Sequence, residues 1–222
     1  NLSIFGNIAD AFEPQNATDP DTGEFIGPQT SDALEFGLKF AGLYDGKLSG
    51  SLAAFEIKKD NVSRSDYNPV TFMADRAITN DKSTGIEFEL FYNPTDNWNI
   101  VAAYSYIDAK VVGEVATGLP LEGATPHRFT LFNSYTVQEG PLAGARFGGG
   151  LVWADGPIPQ FGNIANRFVT EDGYTTFDLF ARFPATIGER DWTFGVNIDN
   201  ATDAVDLVVA QAAPDRLDIL AL

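Results

Sequence analysis

Two glutamates and a histidine are the first residues of this 222-residue chain to consider for chemistry. Glu87 and Glu89 are separated by one residue, so an extended strand would place both carboxylates on the same face. Such a pair could supply a general acid and a general base, but carboxylates in a strand also simply solvate one face. His127 is the only histidine, and a metal site needs several converging ligands. We therefore expect Glu87 and Glu89 to face water and His127 to cap or border a strand, without a catalytic or metal role.

The segment around Asp19 has the spacing of part of a calcium loop. Asp19, Asp21 and Gly23 fit its beginning, but the acidic ligand that should complete the loop is absent at the required spacing. A solvated turn is the expected structure. The chain has no cysteine, which excludes a disulfide framework, a thiolate metal site and a cysteine nucleophile.

The stretch from Thr84 to Asp108 predicts the element that positions the two glutamates. One face of its first arm carries Ile86, Phe88, Leu90 and Tyr92, and the other carries Gly85, Glu87, Glu89 and Phe91. This two-residue period indicates a β-strand. After the turn formers at 93–97 the alternation resumes, with one face made of Trp98, Ile100, Ala102, Tyr104 and Tyr106. The stretch is therefore predicted to be a hairpin, with arms long enough to cross the hydrocarbon layer of a bilayer when tilted.

Aromatic residues bracket the aliphatic centre of this hairpin. Tyr92 and Trp98 flank the short turn, while Tyr104 and Tyr106 lie at the far end of the second arm. Strands of outer-membrane barrels have this order, with amphipathic rings at the two headgroup levels and aliphatic side chains between them. A large soluble sheet with aromatic edges is the alternative.

Composition limits the possible partners. The chain carries 31 acidic and 14 basic residues, and a surface that binds nucleic acid needs the opposite balance. No uninterrupted apolar run is long enough for a spanning helix, so a bilayer crossing would have to be made by strands. The chain begins Asn-Leu-Ser-Ile-Phe-Gly, already in a strand pattern, which suggests a mature protein or a cut fragment.

The same alternation recurs along the chain and predicts about ten strands. Long connections are expected near residues 13–31, 59–83, 111–125 and 155–172, with short turns at Asp45-Gly46, 93–97, 138–141 and 184–191. In an up-and-down sheet every second connection lies at the same end, so the long loops would gather at one rim. A Greek-key sandwich would not order its loops in this way. The predicted fold is all-β, an antiparallel up-and-down transmembrane β-barrel, with residues 1–222 forming one barrel unit.

An ordered series of motifs resembles the C-terminal barrel of TonB-dependent outer-membrane receptors, especially the ferric-siderophore branch. The matching segments are 5–15 (FGNIADAFEPQ), 34–39 (LEFGLK), 53–62 (AAFEIKKDNV), 85–109 with its hairpin, Pro126-His127-Arg128, 174–179 and 192–203 (WTFGVNIDNATD). The hairpin is the most specific of them. Family barrels have about twenty-two strands and usually end in an aromatic residue, whereas 216–222 (RLDILAL) is short and ends in Leu. The resemblance therefore covers only the last part of such a receptor, without plug or TonB box.

The resemblance implies a function in transport and not in catalysis. The intact protein would lie in the bacterial outer membrane, contact its lipid, bind a ferric siderophore as transported ligand and interact with the TonB complex through a plug. It implies no cofactor and no nucleic acid. A soluble or surface barrel that binds a ligand in its core is the alternative, and an omptin-like protease is a third candidate that lacks the necessary histidine and aspartate motif.

A bulky chelate with aromatic or anionic groups would need stacking surfaces and positive charge. Aromatic and cationic residues in the expected long loops and at their borders are therefore the candidates for siderophore contact: Tyr67, Phe72, Arg76, Trp153 and Phe161. Packing of the loops against one another would explain each of these residues as well.

Overall fold

The computed structural model describes residues 1–16, 18–19, 22–68, 73–113, 117–156, 158, 173–202, 207–208 and 220–221. The regular structure of these residues consists of strands. They are β1 (Leu2–Glu13), β2 (Gln29–Leu43), β3 (Leu48–Asn68), β4 (Met73–Thr95), β5 (Trp98–Val112), β6 (His127–Thr136), β7 (Arg146–Ala154), β8 (Tyr174–Ile187), β9 (Arg190–Ile198), β10 (Leu207–Val208) and β11 (Leu220–Ala221). In the part of the chain that the structure describes, no helix has the length and apolarity required to span a bilayer.

Strands β1 to β9 form a single antiparallel sheet in which each strand pairs with the next one along the chain. Within the described residues β1 pairs only with β2, and β9 only with β8, so the sheet is open at both edges. Strands β10 and β11 form a separate pair. This up-and-down order confirms the predicted all-β, antiparallel architecture, with nine strands in the sheet where about ten were predicted.

The predicted hairpin at 84–108 is confirmed as β4 and β5, with the turn at 96–97. Register pairing puts Phe88 opposite Tyr104 and Leu90 opposite Ala102 on one face. On the other face Glu87 lies opposite Ser105 and Glu89 opposite Ala103. We call the face with Phe88 and Leu90 the apolar face, and the face with Glu87 and Glu89 the polar face.

The prediction of a long loop at 59–83 is wrong. Strands β3 and β4 continue to pair past Lys59, from Val62 opposite Thr79 to Asn68 opposite Met73, and only residues 69–72 lie between them. A bulge between Lys59 and Val62, with Asn61 at φ 59°, separates this extension from the lower part of the hairpin. The bulge shifts the alternation by one register, and beyond the apolar band neither face needs apolar residues. The pairing therefore continues where the hydrophobic period is lost.

Two short turns lie where they were expected but differ in detail. The turn at 44–47 uses left-handed backbone at Tyr44 and Asp45 as well as at Gly46, so it is longer than a two-residue hairpin loop. At the other turn, β8 extends through Pro184 to Ile187, and the connection is only 188–189. Strand β7 pairs with β8 only as far as Arg182, so Pro184 has a strand neighbour on one side only, where proline is tolerated.

Several strand glycines lie directly opposite a phenylalanine whose ring covers them. A Cβ built on Gly85 would lie 2.6 Å from the ring of its register partner Phe55, and one on Gly148 would lie 2.6 Å from the ring of Phe180. Gly37 and Gly50 have the same relation to Phe5 and Phe40. The absence of a side chain leaves room for the aromatic ring to lie across the neighbouring strand, an arrangement that fixes register.

The sheet has no dry apolar core among its described residues. The buried apolar residues are few and mostly small: Ala53, Ala102, Ala109, Val111, Ala145, Ala154 and Ile158. Large apolar side chains instead remain uncovered on the apolar face, with Ile4 69% and Val196 57% exposed. Their burial must come from surroundings outside the described sheet.

Candidate functional site

The apolar face forms a continuous band across the sheet. One row of register partners contains Leu2, Phe40, Gly50, Leu90, Ala102, Leu131, Leu151 and Phe177. The next row toward the long connections contains Ile4, Leu38, Leu52, Phe88, Tyr104, Phe129, Trp153 and Thr175. An uncovered band of this kind matches the lipid-facing surface of a barrel.

His127 belongs to an aromatic cluster at the border of this band, together with Tyr104, Tyr106 and Trp153. The Tyr104 hydroxyl lies 2.8 Å from His127 Nδ1, and the His127 ring centroid lies 4.7 Å from that of Tyr106 and 6.4 Å from that of Trp153. Rings with one polar atom and an apolar body suit the headgroup level of a bilayer. No group of three potential metal ligands occurs among the described residues, and the position of His127 agrees with the expected border role.

Beyond the aromatic cluster the same face becomes charged. Asp10, Asp32, Lys58, Lys82 and Lys110 form one row across five strands, which we call the charged belt. Glu56 forms ion pairs with Lys58 at 3.0 Å and with Lys82 at 2.7 Å, and Lys110 forms one with Asp108 at 2.7 Å. Hydrogen bonds from Lys82 and Lys58 lower the pKa of the Glu56 carboxyl. The belt therefore marks where the apolar surface ends and water begins.

The polar face carries the side chains that a water-filled interior requires. Glu87, Glu89, Ser105, Arg128 and Thr130 line a recess of about 220 Å³. The two carboxylates lie two residues apart on β4, about 7 Å along the strand. Among the described residues neither glutamate forms an ion pair within 4.0 Å. The arrangement agrees with the expectation that these carboxylates solvate a face.

A buried ion pair stabilises the polar face where the β3–β4 extension begins. Arg64 Nη2 lies 2.6 Å from Asp81 Oδ2, and Arg64 Nε donates to Thr79 Oγ1 at 3.0 Å. Asp81 is only 6% exposed, and its Oδ1 has no hydrogen-bond partner among the residues that the structure describes. Sequence reasoning missed this network because it placed all three residues in a loop. No hydrophobic period marks the extension, so no pattern in the sequence pointed to this network.

Three long connections, β1–β2, β5–β6 and β7–β8, lie at one end of the sheet, as the alternation of connection lengths predicted. The fourth one predicted there, at 59–83, is replaced by the β3–β4 extension. The β5–β6 connection folds back on its strand, since the Val111 N–H donates to Leu119 C=O at 2.8 Å. It also contacts the β7–β8 connection through Gly123 N–H and Ile158 C=O, 2.8 Å apart. The β1–β2 connection contacts β3 through Gln15 Nε2, which donates to Asn61 C=O at 2.7 Å.

The turn at Asp19 is held by local hydrogen bonds. Gly23 N–H donates to Asp19 C=O at 2.8 Å, and Thr22 N–H donates to Asp19 Oδ1 at 3.0 Å. Asp21 lies outside the described residues. The Asp19 carboxylate thus contributes to a turn of the first long connection.

The five residues predicted to contact a siderophore lie in different places. Tyr67 and Arg76 belong to the β3–β4 extension, where Tyr67 pairs with Ala74 and Arg76 with Ser65. Trp153 lies on the apolar face in the aromatic cluster, a position that favours contact with the membrane interface. Phe72 and Phe161 lie outside the described residues. Ligand contact stays a prediction for all five residues.

Comparison with known proteins identifies a family. The family model described as TonB dependent receptor-like, beta-barrel, matches residues 1–201. The metal-pseudopaline receptor CntO of Pseudomonas aeruginosa is 30% identical over 204 residues, which are 91% of this chain and 27% of that protein. The ferric-pyoverdine 358 receptor of Pseudomonas putida is 29% identical over 82% of this chain and 22% of that protein. The chain therefore spans about a quarter of the length of these relatives.

Solved structures show the same fold. The ferric preacinetobactin receptor BauA of Acinetobacter baumannii superposes with a TM-score of 0.73 at 21% identity, covering 99% of this chain and 32% of that one. The ferripyoverdine receptor of the Pseudomonas aeruginosa outer membrane superposes with a TM-score of 0.68 at 23% identity, covering 93% of this chain and 28% of that one. The relatives and neighbours named here are all receptors. At 21% and 23% identity, the two solved structures show that the fold is shared.

Proposed function

The chain belongs to the TonB-dependent receptor β-barrel family of the Gram-negative outer membrane, and we propose that it is the C-terminal barrel wall of a ferric-siderophore importer. The observation that carries this proposal is the division of the sheet into an uncovered apolar face and a hydrated polar face. The apolar face contacts lipid, and the polar face lines a lumen through which a hydrophilic chelate passes.

The names of several relatives support a siderophore as the cargo. They include receptors for ferric pyoverdines and the ferrichrome outer membrane transporter/phage receptor of Escherichia coli. The cargo binds first at the rim where the long connections meet. In this proposal the β3–β4 extension, with Tyr67 and Arg76 at its far end, rises about 20 Å above the bulge at Asn61. Tyr67 supplies a stacking surface and Arg76 a positive charge.

Import needs parts beyond this barrel wall. In the proposed mechanism a plug domain of the intact protein fills the lumen, and the TonB complex moves the plug with energy from the inner membrane. The polar side chains of β4, β5 and β6, among them Glu87, Ser105 and Arg128, then hydrate the opened passage.

A second candidate cargo is a metal chelate in which the metal is not restricted to iron. It is favoured by the 30% identity with the metal-pseudopaline receptor, whose name does not specify iron. The two candidates share the outer-membrane location and differ only in the chelate.

Uptake by cells tests both candidates. A strain lacking the complete gene is compared with its parent for accumulation of radiolabelled metal complexes of pyoverdine, ferrichrome and pseudopaline. Loss of uptake of one complex in the deletion strain, restored by the gene and abolished by removal of TonB, is the expected result. Equal uptake of all three complexes by parent and deletion strain would contradict import of these siderophore types.

The contribution of the rim is measured in the restored strain. Arg76→Gln should reduce the affinity for the imported complex, because the substitution removes a positive charge at the proposed first contact. Arg190→Gln at the start of β9 is the matched control, since it removes a cation at the opposite end of the sheet. Equal affinities of the two variants would contradict contact between Arg76 and the imported complex.

A further inference from the structure

Three amide side chains meet where the first long connection, residues 14–28 between β1 and β2, leaves the sheet. Gln15 follows β1, Asn61 lies in the bulge of β3, and Asn80 lies opposite this bulge on β4. Gln15 Nε2 donates to Asn61 C=O at 2.7 Å, and the Asn61 N–H donates to Asn80 Oδ1 at 3.2 Å. We call these three residues the amide junction. It joins the chain that leaves β1 to the foot of the β3–β4 extension.

The amide junction also closes the base of the first long connection. Gln15 Nε2 donates to Gly27 C=O at 2.9 Å, and Asn61 Nδ2 donates to Pro28 C=O at 3.2 Å. A carboxamide NH₂ group carries two N–H donors, so Gln15 can bind the carbonyls of Gly27 and Asn61 at the same time. Both ends of the connection are therefore held by the same two side chains.

Above this base the first long connection is a short arm closed by hydrogen bonds. Thr18 pairs with Phe25 in an antiparallel bridge, and the Asp19 N–H donates to Glu24 C=O at 2.8 Å. Bonds across the arm hold its two sides together independently of the base. We therefore expect the arm to follow its base as a unit when the base moves.

The residue at the bulge suits both parts of this arrangement. Asn61 has a φ of 59°, a left-handed conformation that asparagine adopts more readily than most other side chains. The bulge redirects β3 into the extension, and the Asn61 side chain binds the arm. The β5–β6 and β7–β8 connections, in contrast, are linked by backbone bonds between Gly123 and Ile158 and between Ile158 and Ala124. The amide junction uses side chains, so substitution can remove it.

We propose that the amide junction fixes the arm against the β3–β4 extension, so that the two form one preorganised surface for a metal–siderophore complex. Gln15 and Asn61 are positioning residues in this proposal and do not contact the complex. The proposal rests on the proposed function, because it concerns the rim at which the cargo first binds. A surface that is ordered before binding loses less conformational entropy when the ligand arrives, so affinity should depend on the junction.

Distances between two spin labels test the positioning directly and without a ligand. The labels are attached to cysteines introduced at Glu24 of the arm and Ser63 of the extension, both of which are exposed. Double electron–electron resonance on the complete protein in detergent should give one narrow distance distribution. Gln15→Glu should broaden it, because the new carboxylate has no N–H donor and faces two carbonyl oxygens.

Two further variants separate the amide from other effects. Asn61→Gly permits the φ of 59° but removes the side-chain donor, so it should also broaden the distribution. Asn99→Asp is the matched control, since it removes the amide that donates to Asn93 Oδ1 at the short-turn end of the sheet. It should leave the distribution unchanged. Unchanged widths in both Gln15→Glu and Asn61→Gly would overturn the proposal.

Binding and uptake then measure the consequence for the ligand. The probes are the metal complexes of pyoverdine, ferrichrome and pseudopaline. Gln15→Glu should weaken binding of the imported complex to the purified protein about fivefold, because the arm must be ordered during binding. The maximal uptake rate at saturating complex should stay unchanged, since the junction does not move the plug. A broader distance distribution with unchanged affinity would overturn the proposal.

Failure of the proposed function gives a different result. If none of the three complexes binds the unsubstituted protein, the proposed cargo is wrong, and the distance distributions alone decide whether the amide junction positions the arm. Circular dichroism and the thermal transition verify that each variant folds. If one of the two junction variants fails to fold, the other decides.

Discussion

Strand β4 presents two different environments at neighbouring residues. Phe88 and Leu90 lie in two neighbouring rows of mostly apolar register partners, each running across eight strands, whereas Glu87 and Glu89 line a recess with Ser105 and Arg128. In a soluble sandwich the apolar side would be covered by a second sheet. Here it stays uncovered among the described residues, with Val196 57% and Leu179 50% exposed. The difference is typical of a sheet that faces lipid on one side and water on the other.

A charge placed on the apolar face tests the difference between the two faces most strongly. Leu90→Arg should destabilise the folded protein by about 2–4 kcal/mol, since a cation near the middle of the lipid-facing band is poorly solvated. Glu89→Gln, the adjacent control on the polar face, should change the free energy of unfolding little. Urea titrations in lipid vesicles measure both variants. Equal effects would contradict the assignment of the faces.

Substitutions on the polar face should differ in their effect on stability, and the Arg64–Asp81 pair is the place to test this. Asp81→Asn should cost about 1.5–3 kcal/mol, because it removes a charge-assisted hydrogen bond of a buried carboxylate. Asp108→Asn is the control, since the Asp108–Lys110 pair is exposed and such pairs contribute about 0–1 kcal/mol. The same urea titration compares them, and a larger effect at Asp108 would show that burial is not the deciding factor.

Close packing on the polar face is tested at two glycines of β7. Gly148→Ala should cost about 1–3 kcal/mol, because its Cβ would lie 2.6 Å from the Phe180 ring and 2.5 Å from the Asn133 carbonyl oxygen. At Gly150 the nearest atom, the Leu131 carbonyl oxygen, is 3.8 Å from a built Cβ, so Gly150→Ala should be nearly neutral. Thermal unfolding in detergent distinguishes the two. Equal melting temperatures would mean that Phe180 moves freely.

The smallest expected effect lies at the border of the apolar band. Tyr104→Phe removes the hydroxyl 2.8 Å from His127 Nδ1 and should cost about 0.5–1.5 kcal/mol. Tyr106→Phe keeps the ring that lies 4.7 Å from His127 and should cost less. Urea titration of both variants in vesicles provides the comparison. A larger loss for Tyr106→Phe would indicate that the hydroxyl of Tyr104 has no structural role.

Much of this architecture could be predicted from the sequence because one physical rule governs the membrane band. Between Trp98 and Tyr106 every second residue must suit lipid, so the period is visible and the pairing with β4 follows from it. The contact between Gly148 and the Phe180 ring could not be identified from spacing, because only the β7–β8 register brings the two residues together.

The rule fails where both faces meet water. Beyond the bulge at Asn61 the β3–β4 extension carries polar residues on either face, so its pairing left no period to detect. The Arg64–Asp81 pair is hidden for the same reason, since its partners come together only through that pairing. Neighbours on adjacent strands are hidden in the same way. Arg146 and Arg182 are 36 residues apart in the chain, and only the β7–β8 register makes them neighbours.

Alternating accessibility along β4 is the most direct measurement of the two faces. The chain has no cysteine, so single cysteines can be placed at each position from 86 to 91 and treated in lipid vesicles with a charged thiol reagent. The account predicts reaction at 87, 89 and 91 and protection at 86, 88 and 90. Reaction at 88 and 90 with protection at 87 and 89, or uniform reaction at all six positions, would contradict it.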